Sequence, residues 1–227
     1  MDNFLSLLQF ADGLFPAGAY AHSFGLESYV QSGEVSDAAG VEAFLRSYLE
    51  GSVAPTDAVA LLCASRAAKS ADLPSCFVLD EALDAMKTAT ELRDASRQMG
   101  RQTLRVANSL PGHALLAEFS EAVANGFTPG HHPVIFGMLG GLMDWPAREM
   151  VSAYLYSTSA ALVGAALRLL PLGQLAGQRI LWNVQPLIAN LTEDTQLKTQ
   201  ADMWSFAPAL EIASMRHALL DARLFRS

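Results

Sequence analysis

The chain has 227 residues, 51% of them hydrophobic and only 17% charged, which suffices for one large core or at most two domains and favours a protein that buries interfaces as well as a core. A net charge of −8 argues against nucleic acid as the main partner. The two cysteines, Cys63 and Cys76, lack zinc spacing and predict free thiols in a reducing cytoplasm, while the acidic start Met1-Asp2-Asn3 predicts no export.

The pattern is helical nearly throughout, with no convincing period-2 run, and it predicts an all-α, single-domain bundle of about ten helices over residues 1–227. The acids Asp2, Asp12, Glu27, Glu34, Asp37, Glu42, Glu50 and Asp57 face a single base, Arg46, in the first quarter; they are read as a solvated helix face ahead of a docking surface for a basic partner. A first helix is predicted over 22–31 with Gly33 as its stop, and a second, capped by Ser36, to about Glu50 with Val41, Phe44, Leu45, Tyr48 and Leu49 on one face. A third opens at Thr56 or Asp57 and ends near Lys69; Pro74 precedes a fourth, to Met86. The fifth, 88–108, carries Arg93, Arg97, Arg101 and Arg105 as a basic ridge partly paired with Glu91 and Asp94, and Ser96 and Gly100 at its middle predict close helix packing. A turn at Pro111-Gly112, a helix over 114–124, a loop over 128–133 and a glycine-rich apolar helix over 134–143 come next.

Residues 151–167 are uncharged. They are too short and too rich in Ser, Thr and Tyr for a membrane span, so no membrane association is expected and a buried central helix to about Leu170 is predicted. A helix over 173–191 is expected to kink or break at Pro186, and the polar stretch 192–203 reads as a mobile linker before a closing helix near Pro208. The chain ends on Leu224 and Phe225 framed by Arg223 and Arg226, so the tail is expected to dock, on its own domain or on another protein.

Several chemistries are missing. There is no phosphate-cradling G-x-x-x-x-G-K-[ST], no nucleophile elbow and no H-E-x-x-H, so neither nucleotide hydrolysis nor other catalysis is expected. A single histidine at position 22 cannot hold a metal, and the neighbours His131 and His132 read first as ordinary polar loop residues; no stably bound cofactor is predicted. His217 reads as a hydrogen-bonded packing residue. The densest motif is residues 12–27, where Tyr20, His22 and Ser23 bring polar tips into a glycine-punctuated apolar turn.

Ordered blocks spanning most of the chain carry a resemblance to a known family. Residues 7–27, 91–100, 130–137, 168–174 with 177–178, and 212–217 with 223–227 together resemble the urease accessory protein UreF family, with His132 a departure where an aromatic residue is commoner. The resemblance implies an all-α, cytoplasmic homodimer without enzymatic activity. It implies a factor that bridges the scaffold protein UreD (also called UreH) and the GTPase UreG, and helps couple GTP hydrolysis to insertion of nickel, bound at most transiently, into apo-urease. The alternative is an independent nickel metallochaperone using His22, His131, His132 and His217. Segments 1–21 and 205–227 are expected to be partner-binding elements, and Tyr20, His22, Ser23, Phe24, Glu27, Arg216, His217, Arg223, Leu224 and Phe225 are the expected partner-binding residues. Within that set, Arg223 is expected to hydrogen-bond around the 12–27 block with Tyr20 as acceptor, while Leu224 and Phe225 pack as apolar anchors.

Overall fold

A computed structural model describes residues 3–110, 112–217, 220 and 222–226; Pro111 of the expected turn and Ser227 of the tail lie outside the described residues, as do Met1 and Asp2. Every regular element among the described residues is helical, as the all-α expectation required. In order these are α1 (Asn3–Ala11), α2 (Leu26–Gln31), α3 (Ala38–Tyr48), α4 (Val59–Lys69), α5 (Leu73–Met86), α6 (Thr90–Ala107), α7 (Ala114–Ala124), α8 (His132–Leu142), α9 (Ala147–Leu169), α10 (Gln174–Thr195) and α11 (Pro208–His217).

The core is organised around α8, in which every residue from His132 to Gly141 is buried. Its glycines explain how it gets there. A Cβ at Gly137 would collide with the carbonyl of Leu61, and one at Gly141 with that of Ser65, so α8 and α4 approach backbone to backbone. The close packing expected at Gly100 also forms, against the carbonyl of Gly130. With every residue from His132 to Gly141 buried, α8 supplies core. Helix α9 is long and apolar enough to cross a membrane by length and composition, but half of its most apolar stretch is buried inside the protein, where it packs on α10, α1 and α2. That is the central helix the sequence predicted.

Four expectations are corrected. Residues 3–11 form a helix that the sequence pattern does not reveal, burying Leu7 and Phe10, while the Ser6 hydroxyl accepts from the Trp145 indole at 2.7 Å. The cap of α3 is Asp37, whose side chain accepts from the Gly40 amide at 2.8 Å, not Ser36. Helix α10 runs through Pro186 and on to Thr195. An ordered turn over Gln200–Asp202 with a Thr199/Asp202 capping box comes after it, so 192–203 is not a structureless linker. The expected break between Glu50 and Thr56 does not occur either: Leu49–Ala58 continues the helix in widened, π-type turns with Pro55 inside.

That widening has an identifiable compensation. A prolyl residue lacks an N–H and pushes against the preceding turn, freeing carbonyls there. The Gly51 carbonyl accepts from the Phe206 amide at 2.9 Å and the Pro55 carbonyl from the Trp204 amide at 3.3 Å, while Thr56 Oγ1 donates to the Trp204 carbonyl at 2.7 Å. An extended segment far along the chain thus supplies the donors that an α-helix would have found locally.

Candidate functional site

The 12–27 block and the C-terminal tail meet. Gly18 and Gly25 both adopt positive φ, and a short turn over Ala19–Ala21 lies between them, so the chain doubles back before α2 begins. Phe24 also has a positive φ of 53°, an outlier for a bulky residue, and is kept there by burial against the Tyr48 ring at 5.9 Å. Glu27 then falls on the first turn of α2 and is only 2% exposed.

A carboxylate so deeply buried needs partners on every lone pair. Glu27 accepts from the Leu224 amide at 2.7 Å and the Phe225 amide at 3.2 Å, and it meets His217 Nε2 at 2.7 Å. The tail is further tied by the Arg226 amide donating to the Ala21 carbonyl at 2.9 Å and by Gln31 Nε2 donating to the Ala222 carbonyl at 2.8 Å. Ser28 Oγ binds the Ala213 carbonyl of α11 at 2.8 Å, and Gly25 sits so close to Ser214 that a Cβ would come within 2.8 Å of its hydroxyl. His22 is buried here too, and burial, with Arg226 as the lesser cause, lowers its pKa to about 4.

The arginine of this junction is not the expected one. Arg168, at the end of α9, donates to the Tyr20 carbonyl at 2.7 Å, and its guanidinium lies 3.7 Å from the centroid of the Tyr20 ring and 4.1 Å from that of Phe225. Arg223 is exposed, and among the described residues no hydrogen bond joins it to Tyr20. The expected Arg223–Tyr20 bond is therefore corrected: tail amides reach a carboxylate, and an arginine from the bundle clamps the rings. Phe225 is buried as an anchor, whereas Leu224 is 61% exposed and so does not pack as one. Tyr20, His22, Ser23, Phe24, Glu27, His217, Leu224 and Phe225 are thus brought together. Arg216 is not part of the cluster; it is exposed and lies with Tyr29 and Glu34 round a shallow depression beside α2. The sequence did contain a signal for Arg168, the first charge after the eighteen uncharged residues 150–167.

A second polar cluster lies inside the bundle. Asp80 is fully buried and accepts from Thr128 Oγ1 at 2.6 Å, the Gly130 amide at 2.6 Å and the His131 amide at 2.8 Å. Burial raises its pKa in spite of these bonds. His131, also fully buried, meets Ser96 Oγ through Nδ1 at 3.0 Å and Asp84 through Nε2 at 2.9 Å, and Arg97 Nε donates to the same carboxylate at 2.8 Å. Burial, followed by the charge of Lys87, lowers the His131 pKa to about 3. The 128–133 segment is thus a stapled interior element, and the reading of His131 and His132 as ordinary polar loop residues is corrected. Of the basic ridge on α6, Arg97 is paired with Asp84 and Asp94, while Arg101 and Arg105 are exposed. Among the described residues no group of three or more His, Cys, Asp or Glu is placed to hold a metal ion. Burial raises the thiol pKa of Cys63 and pushes that of Cys76 up to about 12, so both stay protonated.

Between these clusters is a cavity of about 220 Å³, lined by rings that include Phe10, Phe15 and Phe136 and bordered by Tyr20 and Arg168. Its polar side is a buried Asp57–Lys87 ion pair of 2.7 Å, to which the Tyr154 hydroxyl adds a 3.3 Å bond. His132 also lines it, between the Phe136 and Tyr154 rings at 5.9 and 5.7 Å, in a slot shaped for an aromatic residue.

The sequence profile of the urease accessory protein UreF family matches residues 35–185. A urease accessory protein UreF of Lachnoclostridium phytofermentans is 34% identical over the whole of both chains, and one of Bacillus sp. strain TB-90 is 31% identical over the same extent. A third, from Paenarthrobacter aurescens, is 34% identical, with 98% of this chain and 97% of the relative covered.

Proposed function

The chain belongs to the urease accessory protein UreF family, and from that premise we propose that it matures urease as a non-catalytic, cytoplasmic assembly factor, bridging the scaffold protein UreD/UreH and the GTPase UreG. In this reading it works as a homodimer in complex with apo-urease and couples GTP hydrolysis to the passage of nickel, which is cargo and not a resident cofactor. The carrying observation is the composite surface at the tail. Glu27, His217 and Arg168 fix residues 222–226 against the 12–27 block, and Tyr20, Arg223 and Leu224 are exposed on the segments so joined.

A preordered surface loses less entropy on association than a free tail would, and arginine with aromatic residues are the usual anchors of such contacts. The cluster supports recruitment and not chemistry, because its buried carboxylate is spent on holding amides. The test is co-purification of UreD/UreH and UreG with the intact chain, with Tyr20→Ala, and with a chain ending at residue 222. Both variants are expected to retain helicity and lose UreG. Undiminished recruitment and urease activation by the truncated chain would remove the tail from the mechanism.

A further inference from the structure

The aromatic cavity has features that partner recruitment does not use. We propose that it is a binding site for a small neutral molecule with an aromatic body and a carbonyl or amide head, hydrogen-bonded by His132 and Lys87. The size is suitable, since a dry cavity of about 150 Å³ already accepts benzene and this one measures about 220 Å³. Rings of Phe10, Phe15, Phe24 and Phe136 line it and offer stacked and edge contacts to a flat guest.

The polar side selects the head group. Asp57 and Lys87 neutralise each other at 2.7 Å, so a charged head seated against this pair would give up its hydration without meeting a net counter-charge there; Asp12, Arg168 and Glu211 carry the other charges of the lining. The bond to Asp57 engages one of the three N–H donors of the Lys87 ammonium. His132 is 9% exposed, and burial lowers its pKa to about 4, so the ring is neutral at pH 7. Its Nδ1 is buried and has no hydrogen-bond partner. Leaving a lone pair there costs less than leaving an N–H, which places the proton on Nε2 and makes that nitrogen the donor available to a guest. Two donors over an aromatic chamber call for a neutral acceptor, and a carbonyl or primary amide is the simplest.

The inference does not rest on a role in urease maturation and is tested on the isolated full chain. Benzamide is titrated while the methyl signals of Met86 and Met99, which line the cavity, and the ring-nitrogen signals of His132 are followed by NMR. Toluene and benzoate serve as the headless and charged controls. Saturable shifts at all three residues are expected with benzamide, at a Kd of about 1 mM or tighter. In His132→Phe, whose ring suits the slot between Phe136 and Tyr154, benzamide should weaken about threefold to tenfold, the equivalent of one neutral hydrogen bond, and toluene should not. Ala161→Trp, which fills the cavity from α9, should abolish binding while helicity is kept. Absence of saturable shifts with benzamide would overturn the proposal. So would equal binding of benzamide and toluene that is indifferent to His132→Phe, the behaviour of a bare apolar hole suited to a partner's side chain. Binding that survives Ala161→Trp would place the site elsewhere and overturn it equally.

Discussion

Glu27 and Asp80 solve the same problem in two regions of the molecule, and the contrast separates what holds the fold from what holds the partner surface. Each is a buried carboxylate that accepts from two backbone amides close together in a distant segment. Asp80 staples the 128–131 segment, which is tethered on both sides by α7 and α8, so losing the staple disturbs the centre of the bundle. Glu27 staples residues that follow α11, the last regular element among the described residues. Equal hydrogen-bond counts thus carry unequal consequences: one supports global stability and the other local order.

Acid is expected to have the largest effect, because it acts on both regions together. His22 near the tail and His131 and His132 in the interior have pKa values lowered to about 4, 3 and 4 by burial, whereas in the unfolded chain they titrate near 6.5. Below pH 6.5 the unfolded state binds more protons, so stability falls as pH drops from 6.5 towards 4. Each pH unit that separates the folded and unfolded titrations of one histidine is worth about 1.4 kcal/mol, so three such groups make the loss several kcal/mol. Denaturant melts at pH 7 and pH 4.5 should show it, and His132→Phe should make the dependence shallower.

Next in size, Asp80→Ala leaves two amides and a hydroxyl buried without a partner and is expected to cost about 3–5 kcal/mol, read as a lowered Tm and denaturant midpoint. Glu27→Ala should cost less than half of that globally. It should nonetheless abolish amide-exchange protection at Leu224 and Phe225, and a global loss equal to that of Asp80→Ala would erase the distinction between the two sites. Smaller still is Arg168→Lys, which keeps the charge but removes the planar group between Tyr20 and Phe225. About 0.5–2 kcal/mol of local clamping should disappear, seen as weaker tail protection at unchanged Tm. Arg223→Ala should leave tail protection as it is and weaken only partner recruitment.

The legible parts of the fold were those decided by neighbours in sequence. The 3–4 spacing of Val41, Phe44, Leu45 and Tyr48 marks the face that α3 buries, and the glycines of residues 132–142 mark a helix meant for close approach. What was illegible depends on remote partners. Gly51 and Pro55 look like a break until Trp204 and Phe206 arrive with their amides, and Pro186 allows a break that α10 does not make. At the tail, sequence reading brought the correct segments together and recognised His217 as a packing residue. It chose Arg223 for the Tyr20 contact, whereas Arg168 makes it, reaching the Tyr20 ring only through the path of α9. Glu27 was expected as a partner contact, and its burial under the tail amides is what the sequence could not show.

The widened turns at Leu49–Ala58 also impose a phase on the end of the molecule. Trp204 and Phe206 are pinned to them just before α11, and His217 is pinned to Glu27 at the far end of the same helix. A helix turns about 100° per residue, so α11 works as a keyed shaft between two fixed bearings. Adding or deleting one residue between 207 and 216 would turn His217 away from Glu27 and carry the tail to another side of the protein, even with every side chain named above intact. The length of this helix is therefore as much a part of the partner surface as the residues that the surface displays.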